Sequence, residues 1–574
     1  MNEKFYLGID AGGTHTDAVL LRGGGPEKIL LACAKVKTCH EDIPSSVSEA
    51  LAVLIAALGM GGANILARTR CVTLGTTLAV NALVQNKADA VGLVLSAGPG
   101  LNPLHSAIGN HVCLVPGGLD HRGLELRPLE IQKLAAAATV WKREGVSACA
   151  CVGKFSPRNP AHERLMAETA AGLGFSVTQG SRLSGALNFP RRIATAYYNA
   201  AVERLHLSFL NAVEKALVGA GVRAPVFLLK ADGGAVPLAL SRRCPVQSIL
   251  SGPAASVMGI LALCPSVRRG CSLLLDMGGT TTDIALALDG SPVVERDGML
   301  LAGRRTLVRS LASVSVGVGG DSLIVPDETG VCAGPLREGP AMAFGGGRPT
   351  LLDAFNTLNA PRGEPTAGNT AASIQGMAAL SAASGLEGQG AVLAEAAVED
   401  GLKRIQEAAR ILIERVNARP VYTLAALRSA RGSAPERIVL VGGPAPCVGG
   451  RLEKRLGLPL ESPLHADVAN AVGAGLTLPT ASLEVYADTG QGMLRAPALG
   501  FEERIGRSFT LDAATARAKE LLVGQLAKEG VSDTFVEVLE AELFATLSDS
   551  GYGSRDMRVV CQAAPGLAGR LSPE

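Results

Sequence analysis

Short apolar runs closed by glycine turns alternate with longer runs of helical spacing along most of the chain. KFYLGID predicts a strand, AGGT a tight turn and HTDAVLL a second strand. RGGGPEKILLACAKVKT adds a glycine turn and a third strand, and EDIPSSVSEALAVLIAAL a helix with polar residues at its start. RCVTLGTTLAVNALVQ reads as strand, turn and helix, AVGLVLSAGP as a strand, PLEIQKLAAAATVWKREG as a helix and VSACACVGKF as a buried strand. The helix in NPAHERLMAETAAGLG starts behind Pro160 and stops at Gly174. A long helical pattern spans 190–220, followed by a strand and glycine turn in PVFLLKADGGAV and a helix from SGPAAS. SLLLDMGGTTTDIALAL is again strand, turn, strand; RIVLVGGPAP is a strand ending on a double glycine, and ADVANAVGAGLTL a small-residue helix. Such alternation predicts α/β layers. The Gly-, Pro-, Ser- and Ala-rich stretch 330–390 is expected to be a loop-rich insertion, with a helix near 391–417.

One phrase occurs twice. GIDAGGTHTD carries Asp10, Gly12, Gly13, Thr14, Thr16 and Asp17, and LDMGGTTTD carries Asp276, Gly278, Gly279, Thr280, Thr282 and Asp283 at one constant offset. A hairpin turning on Gly-Gly presents several backbone N–H groups to one point, and such a concave array binds phosphate oxygens. The threonine hydroxyls add donors. A carboxylate beside phosphate would repel it, so Asp10 and Asp276 fit best as holders of Mg²⁺, directly or through water. Two such hairpins from a duplicated core could clamp one triphosphate. A duplication kept only for folding would explain the apolar pattern, but not both aspartates and both threonines. The G-x-x-x-x-G-K-[ST] loop and the dinucleotide G-x-G-x-x-G fingerprint are both absent.

Composition narrows the class. The 574 residues suggest several domains; 47% are hydrophobic and 18% charged, enough for large cores. A net charge of +2 and only 3% aromatics argue against nucleic acid or an anionic membrane as partner. Twelve cysteines show no disulfide framework, and Cys149-x-Cys151 reads as buried strand rather than zinc site. Free thiols and the lack of a leader-like start at MNEKFYLGID lead us to expect a cytoplasmic protein. Of the remaining polar groups, Asp120 and His121, with His105 and His111 upstream, are expected in exposed turns rather than at a metal. Arg191 and Arg192 read as a solvated helix start, and His162 and Glu163 as first-turn residues favouring the helix dipole.

Paired phosphate hairpins followed by a double-glycine adenosine turn resemble the actin, hexokinase and Hsp70 ATPase superfamily. LGIDAGGTHTDAVL, LLLDMGGTTTDIAL and RIVLVGGPAP stand as its phosphate 1, phosphate 2 and adenosine motifs, with SGPAASVMGI and ADVANAVGAGL as connecting helices. TLGTTLAVNALVQ, NPAHE, ADGGAV, SILSGPAA, SVGVGGDS and RPTLLDA are similar, in order, to phrases of the hydantoinase/oxoprolinase family, A-type subunit; the resemblance spans roughly residues 4–480. It implies duplicated actin-like (ribonuclease H-like) α/β ATPase domains closing over a nucleotide cleft. We expect an N-terminal domain at 1–190, a central domain at 191–480 and a small C-terminal α+β unit at 481–574. The resemblance further implies ATP-dependent hydrolysis of a cyclic amide or ureide, hydantoin or 5-oxoproline type, through a phosphorylated amide. An ATPase subunit driving a partner, as in ketone carboxylases, is the alternative, with small-molecule kinase a third.

The same resemblance assigns the site residues. Asp10 and Asp276 organise Mg²⁺; Gly12, Gly13, Thr14, Gly278, Gly279, Thr280 and Thr281 cradle the phosphates of ATP; Gly442 and Gly443 lie against adenosine. Gly317, Gly319 and Gly320 form a loop near the cleft, with Gly319 and Gly320 expected to touch ATP; Asp321 is expected to cap the segment after it, and Asp17 and Asp283 either hold the hairpins or touch ligand, the first being preferred. Thr76, Thr77 and Asn81 either line the substrate side or cap a helix. Expected partners are a small cyclic amide and a B-type subunit, in an oligomer, without nucleic acid or membrane.

Overall fold

The computed structural model describes residues 3–39, 42–84, 87–295, 297–327, 330–385, 387–418, 434–531, 535–546 and 553–572. Two sheets of one design organise it. In the first, the strands Phe5–Ala11, His15–Arg22 and Glu27–Lys37 form an antiparallel meander. Thr69–Thr76 then runs parallel to Phe5–Ala11, and Val226–Leu229 parallel to Thr69–Thr76. The second sheet repeats this plan. Cys271–Met277, Thr282–Leu288 and Ser313–Val316 are antiparallel neighbours, while Arg437–Val441 and Leu460–Glu461 extend in parallel from Cys271–Met277. Three antiparallel strands with parallel strands added beside the first is the ribonuclease H-like arrangement, and its recurrence is the duplicated actin-like fold.

Each sheet buries one face under its own helices. Val47, Leu51 and Leu54 of the helix Ile43–Ala57, with Phe209, Leu210 and Val213 of Phe189–Gly219, close over Leu7, Ile9 and Leu74. Leu402, Ile405 and Leu412 of Gly390–Asn417, with Phe355 of Leu351–Asn359, do the same over Leu273, Leu275 and Leu286. Two small-residue helices lie between the lobes. The outgoing helix Ser251–Leu263 packs on Leu274 and Ala285 of the second sheet. The return helix Ala469–Leu476 packs on Tyr6, Val19 and Leu21 of the first. They cross at close range: a Cβ on Gly259 would lie 2.1 Å from the carbonyl oxygen of Ala469.

Two further units attach to this frame. Between Thr69–Thr76 and Val226–Leu229 the chain builds a separate four-stranded parallel sheet from Ser176–Gln179, Ala148–Val152, Val91–Ser96 and Val112–Val115. The sequence boundary at 190 falls inside the helix Phe189–Gly219, and the strands at 226–229 and 235–237 belong to the first sheet. At the other end, Ala481–Asp488, Met493–Ala496, Phe501–Arg504, Val536–Thr546 and Ser554–Ala563 make an antiparallel sheet, covered by the helix Leu511–Lys528. Arg570–Leu571 then returns to pair with Glu27 and Lys28 on the first sheet. Among the described residues no helix is long and apolar enough to cross a membrane.

Within stretch 330–390, expected as a loop-rich insertion, lie the helices Leu351–Asn359 and Thr370–Ala383, which the sequence pattern did not identify. Thr350 and Asp353 form a reciprocal capping box that starts the first. Asp353 also accepts from Met342 N, Ala343 N and Ser373 Oγ, tying the segment together. Its glycines mostly make the turns around these helices, with positive φ at Gly345, Gly363, Gly368 and Gly385, while Gly376 packs closely against Met342.

Candidate functional site

The repeated phrase folds as two matching hairpins. Asp10 stands opposite Asp17, and Asp276 opposite Asp283. Each turn closes in the same way, Gly12 N donating to His15 O at 3.1 Å and Gly278 N to Thr281 O at 2.9 Å. The hairpins come from opposite lobes and meet: a Cβ on Gly279 would lie 3.3 Å from Thr14 Cγ2. The loop at 317–321 braces the second turn, Gly320 N and Asp321 N donating to the carbonyls of Gly278 and Gly279 at 2.9 and 2.6 Å. Asp321 accepts from Ala341 N, twenty residues on, and pairs with Arg337 at 3.0 Å, so it ties two segments together rather than capping the one that follows it.

Asn470, on the return helix, joins the halves. Its amide Nδ2 lies 3.4 Å from Asp10 Oδ2 and 3.2 Å from Asp276 Oδ2. Ser256 Oγ of the outgoing helix donates to the same Asp276 oxygen at 2.5 Å. Burial, then the Asp17 charge, pushes the Asp10 carboxyl up to about 7. Burial likewise raises Asp283 to about 7 and Asp17 to about 6, although Lys35 lies 2.9 Å from Asp17 and opposes the rise. Asp10 Oδ1 is buried and makes no hydrogen bond. That orphaned oxygen, with a second carboxylate across Asn470, fits a hard cation. Among the described residues no group of three or more His, Cys, Asp or Glu is placed to hold a metal. Mg²⁺ needs no such cage, because one or two carboxylates plus phosphate oxygens and water satisfy it.

The strand Arg437–Val441 brings the third motif to the same place, with Val441 beside Asp276. Gly442 has φ +102°, and a Cβ there would lie 2.2 Å from Met277 O; next to it, Gly443 faces open space. The turn therefore needs glycine for its backbone and leaves room above it.

Thr76 is 2% exposed; its hydroxyl accepts from Leu78 N at 3.2 Å and its carbonyl accepts from Ser251 Oγ at 2.8 Å. Thr76 thus makes a local turn just ahead of the helix Leu78–Val84 and ties it to the outgoing helix. Thr77 N donates to Ala11 O at 3.3 Å. Asn81 lies in the helix Leu78–Val84, its side chain outside the described residues.

Several sequence expectations take other roles. Arg192 is not a solvated helix start: it is fully buried and donates to the carbonyls of Gly153, Lys154 and Ala186. Glu163 lies in the first turn of the helix Ala161–Gly172, as expected, but it is engaged there. It is 0% exposed and accepts from Gly153 N at 2.8 Å and Ser181 N at 2.7 Å. Its neighbour His162 pairs with Glu125 at 2.7 Å. Asp120 accepts from Arg122 N and Leu124 N within its own turn. Cys149 and Cys151 are free thiols on a buried strand.

Sequence reasoning missed two groups. Asn470 and Ser256 gave no signal beyond lying in small-residue helices. Lys230 and Asp232, in KADGGAV, form a buried ion pair at 3.1 Å, each side chain 9% exposed. They line a cavity of about 110 Å³ with Thr195, Gln247, Arg309 and Glu484. Leu228 is level with Leu74, so Lys230 continues to the level of Thr76, at the carboxyl edge of the first sheet that also carries Asp10. Ligands of α/β sheets collect at such edges.

This arrangement has relatives. The chain is 28% identical over 380 residues to caprolactamase subunit alpha of Pseudomonas jessenii, covering 61% of this chain and 54% of that protein. It is 23% identical over 398 residues to the acetophenone carboxylase gamma subunit of Aromatoleum aromaticum, covering 61% and 52%. The chain thus spans about half the length of the curated relatives it matches. Among solved structures, nucleotide-free acetone carboxylase superposes with TM-score 0.70 at 16% identity, over 100% of this chain and 89% of the other. The ATP-dependent caprolactamase from Pseudomonas jessenii superposes with TM-score 0.69 at 21% identity, over 97% and 87%. The hydantoinase/oxoprolinase N-terminal region model matches residues 6–174 and the hydantoinase/oxoprolinase model residues 192–482, so both hairpins, the Gly442–Gly443 turn and both connecting helices fall within one described family. The chain belongs to the hydantoinase/oxoprolinase family.

Proposed function

We propose that this chain is the ATP-using subunit of an enzyme that opens a cyclic amide or ureide of the hydantoin or 5-oxoproline type. The observation that carries this reading is the pair of Asp-Gly-Gly-Thr hairpins set face to face, with Asp10 and Asp276 linked through Asn470. In an amide hydrolase that pair would position Mg-ATP. Asp10 and Asp276 hold Mg²⁺ directly or through water. Gly12, Gly13, Thr14, Gly278, Gly279, Thr280 and Thr281 offer donors to the phosphates, Gly319 and Gly320 fix the second turn, and Gly442 and Gly443 lie against adenosine. Bound Mg-ATP would supply a phosphoryl group to the amide oxygen, removing the resonance that protects the ring. The protein's part is positioning and charge neutralisation. Lys230 and Asp232 offer a cation and a carboxylate at the acceptor side, Lys230 toward the carbonyl oxygen and Asp232 toward water or the ring N–H. Thr77 and Asn81 flank that side, while Thr76 holds the backbone.

A second reading has a specific observation behind it. Two of the matched relatives are described as subunits, alpha and gamma, so this chain could turn over ATP to drive a B-type partner. The test is ATP hydrolysis by the purified chain with Mg²⁺, with and without hydantoin and 5-oxoproline, beside Asp10→Asn. Turnover stimulated by one cyclic amide and lost in the variant supports the hydrolase reading. ATP binding with turnover only after a partner subunit is added supports the second. Absence of ATP binding sinks both.

A further inference from the structure

Away from the nucleotide cleft, the interface between the inserted parallel-sheet unit and the C-terminal unit forms an open pocket of about 310 Å³, in which Arg164 and Arg182 are exposed. Its cationic lining is unusual. Arg164 comes from the helix Ala161–Gly172, Arg182 from Gly180–Leu183 and Arg495 from the strand Met493–Ala496. The lining contains one carboxylate, Glu502, and it is already engaged, 3.4 Å from Arg495. Arg164 and Arg182 have no carboxylate of the described residues within ion-pair distance. Elsewhere at this interface the pattern differs: Arg158 meets Asp556 through two bonds of 2.5 and 2.7 Å, over the ring of Tyr486.

Packing rather than an acid holds Arg182 in place. Gly500 adopts φ +61°, and a Cβ there would lie 1.5 Å from Arg182 Nη1, so the guanidinium rests directly on the glycine backbone. Burial, then the charges of Arg243 and Arg164, lower the Arg182 pKa, so like charges face one another without compensation. Pro157, Pro160 and Pro497 form stiff walls. Like charges held close in a concave pocket raise the local positive potential and favour an anion that joins them.

We propose that this pocket binds a small phosphate-bearing anion, recognised by the forks of Arg164 and Arg182 with Arg495 as third contact. Guanidinium forks match phosphate oxygens in pairs, and a phosphate can accept from several forks at once, where a monocarboxylate is filled by one. The volume lies near the lower end of ligand pockets, roughly 300–1,000 Å³, which suits a phosphate with a compact organic group. The site is independent of the nucleotide reading, since it shares no residue with the hairpins.

The test uses the full chain, with a non-hydrolysable ATP analogue present at saturation to occupy the cleft. Inorganic phosphate and glycerol phosphate are titrated by calorimetry and by thermal unfolding, with glutarate as the carboxylate comparison. Phosphate is expected to bind and to raise the melting temperature. Tighter binding of glycerol phosphate identifies an organic phosphate as the ligand source, and tighter binding of inorganic phosphate the free ion; either supports the proposal. Arg164→Gln and Arg182→Gln should each weaken binding on the order of tenfold or more, as loss of a charge-assisted contact does. Glu502→Gln, which leaves both unpaired arginines intact, should tighten phosphate severalfold. If Arg182→Gln fails to fold, Arg164→Gln and Glu502→Gln decide. Unchanged affinity in those variants, no phosphate binding with the cleft occupied, or tighter binding of glutarate than of either phosphate would overturn the proposal.

Discussion

At the scale of single residues, space around the glycines separates structure from ligand. A Cβ on Gly279 would lie 2.5 Å from Asp321 Oδ2, whereas one on Gly13 or Gly443 meets nothing within 4 Å. Gly279→Ala should therefore disturb the second hairpin itself, lowering both stability and nucleotide affinity. Gly13→Ala and Gly443→Ala should melt within about 1–2 °C of the parent, as exposed changes away from packing do, yet weaken nucleotide binding about tenfold or more. Calorimetric unfolding and titration with an ATP analogue check both halves; unchanged binding in the Gly13 and Gly443 variants would remove those turns from the nucleotide site. The aspartates and glycines of both hairpins were legible because they recur at one offset. Asn470 was not, since an asparagine in an alanine-rich helix reads as a helix residue until its two carboxylate neighbours are seen. Arg192 and Glu163 escape the sequence for a related reason. A charged residue at a helix start is normally solvated, and only the inserted sheet packed over them shows that their partners are backbone groups.

Elements carry their own consequences. The long helix Phe189–Gly219 buries His206, 2% exposed, with its Nε2 2.9 Å from Ser241 Oγ. Burial, as the main cause, lowers its pKa from 6.5 to about 4. Above pH 6.5 the ring is neutral in folded and unfolded chains alike. Below it the unfolded chain takes up a proton that the folded chain refuses until about pH 4. Stability from this group is thus intact at neutral pH and is lost as the pH falls from 6.5 to 4, a change on the order of 3 kcal/mol. Denaturant unfolding between pH 7 and 4 should show a steeper loss in the parent than in His206→Gln; equal slopes would mean that other groups set the acid limit. The crossing of the connecting helices makes a second prediction. Gly259→Ala places a methyl against Ala469 O, and overpacking of this kind costs about 1–3 kcal/mol. Because the return helix presents Asn470, nucleotide affinity should fall with stability, and titration beside thermal melting tests the pairing. Strand–turn–strand elements were readable from alternation and glycine turns, and so were both connecting helices. The helices at 351–359 and 370–383 were not, because Gly, Ala and Ser serve tight packing as well as loops, and the capping box at Thr350 and Asp353 was outweighed by that composition.

For the whole molecule, the duplicated frame was legible and its interruptions were not. Strands at 91–96 and 148–152 look in sequence like continuations of the first sheet. Only pairing shows that they form a sheet of their own, after which the chain returns at Val226 to complete the first. Sequence period gives strands but not partners, and long-range pairing decides the rest. The last described residues show how far this reaches. Arg570 N donates to Pro26 O at 2.7 Å, Ser572 N to Lys28 O at 2.8 Å and Ala568 N to Leu476 O at 2.7 Å. Leu567 and Ala568 also pack against Val472 and Leu476 of the return helix. Removal of residues 567–574 would thus strip backbone partners from the first sheet and uncover the helix that links Asp10 with Asp276. Burying a leucine is worth about 1.5–3 kcal/mol and each backbone bond about 1, so a loss of several kcal/mol is expected. The effect should not stay local. Hydrogen exchange at 469–476 should accelerate in the truncated chain, and ATP-analogue affinity should fall by more than in a variant such as Arg410→Ala, which breaks only exposed ion pairs with Glu407 and Glu414. Normal protection at 469–476 with unaltered affinity would mean that the tail covers the sheet edge without supporting the site. Faster exchange together with weakened binding would show that the chain's far end helps hold the two lobes in register around the nucleotide.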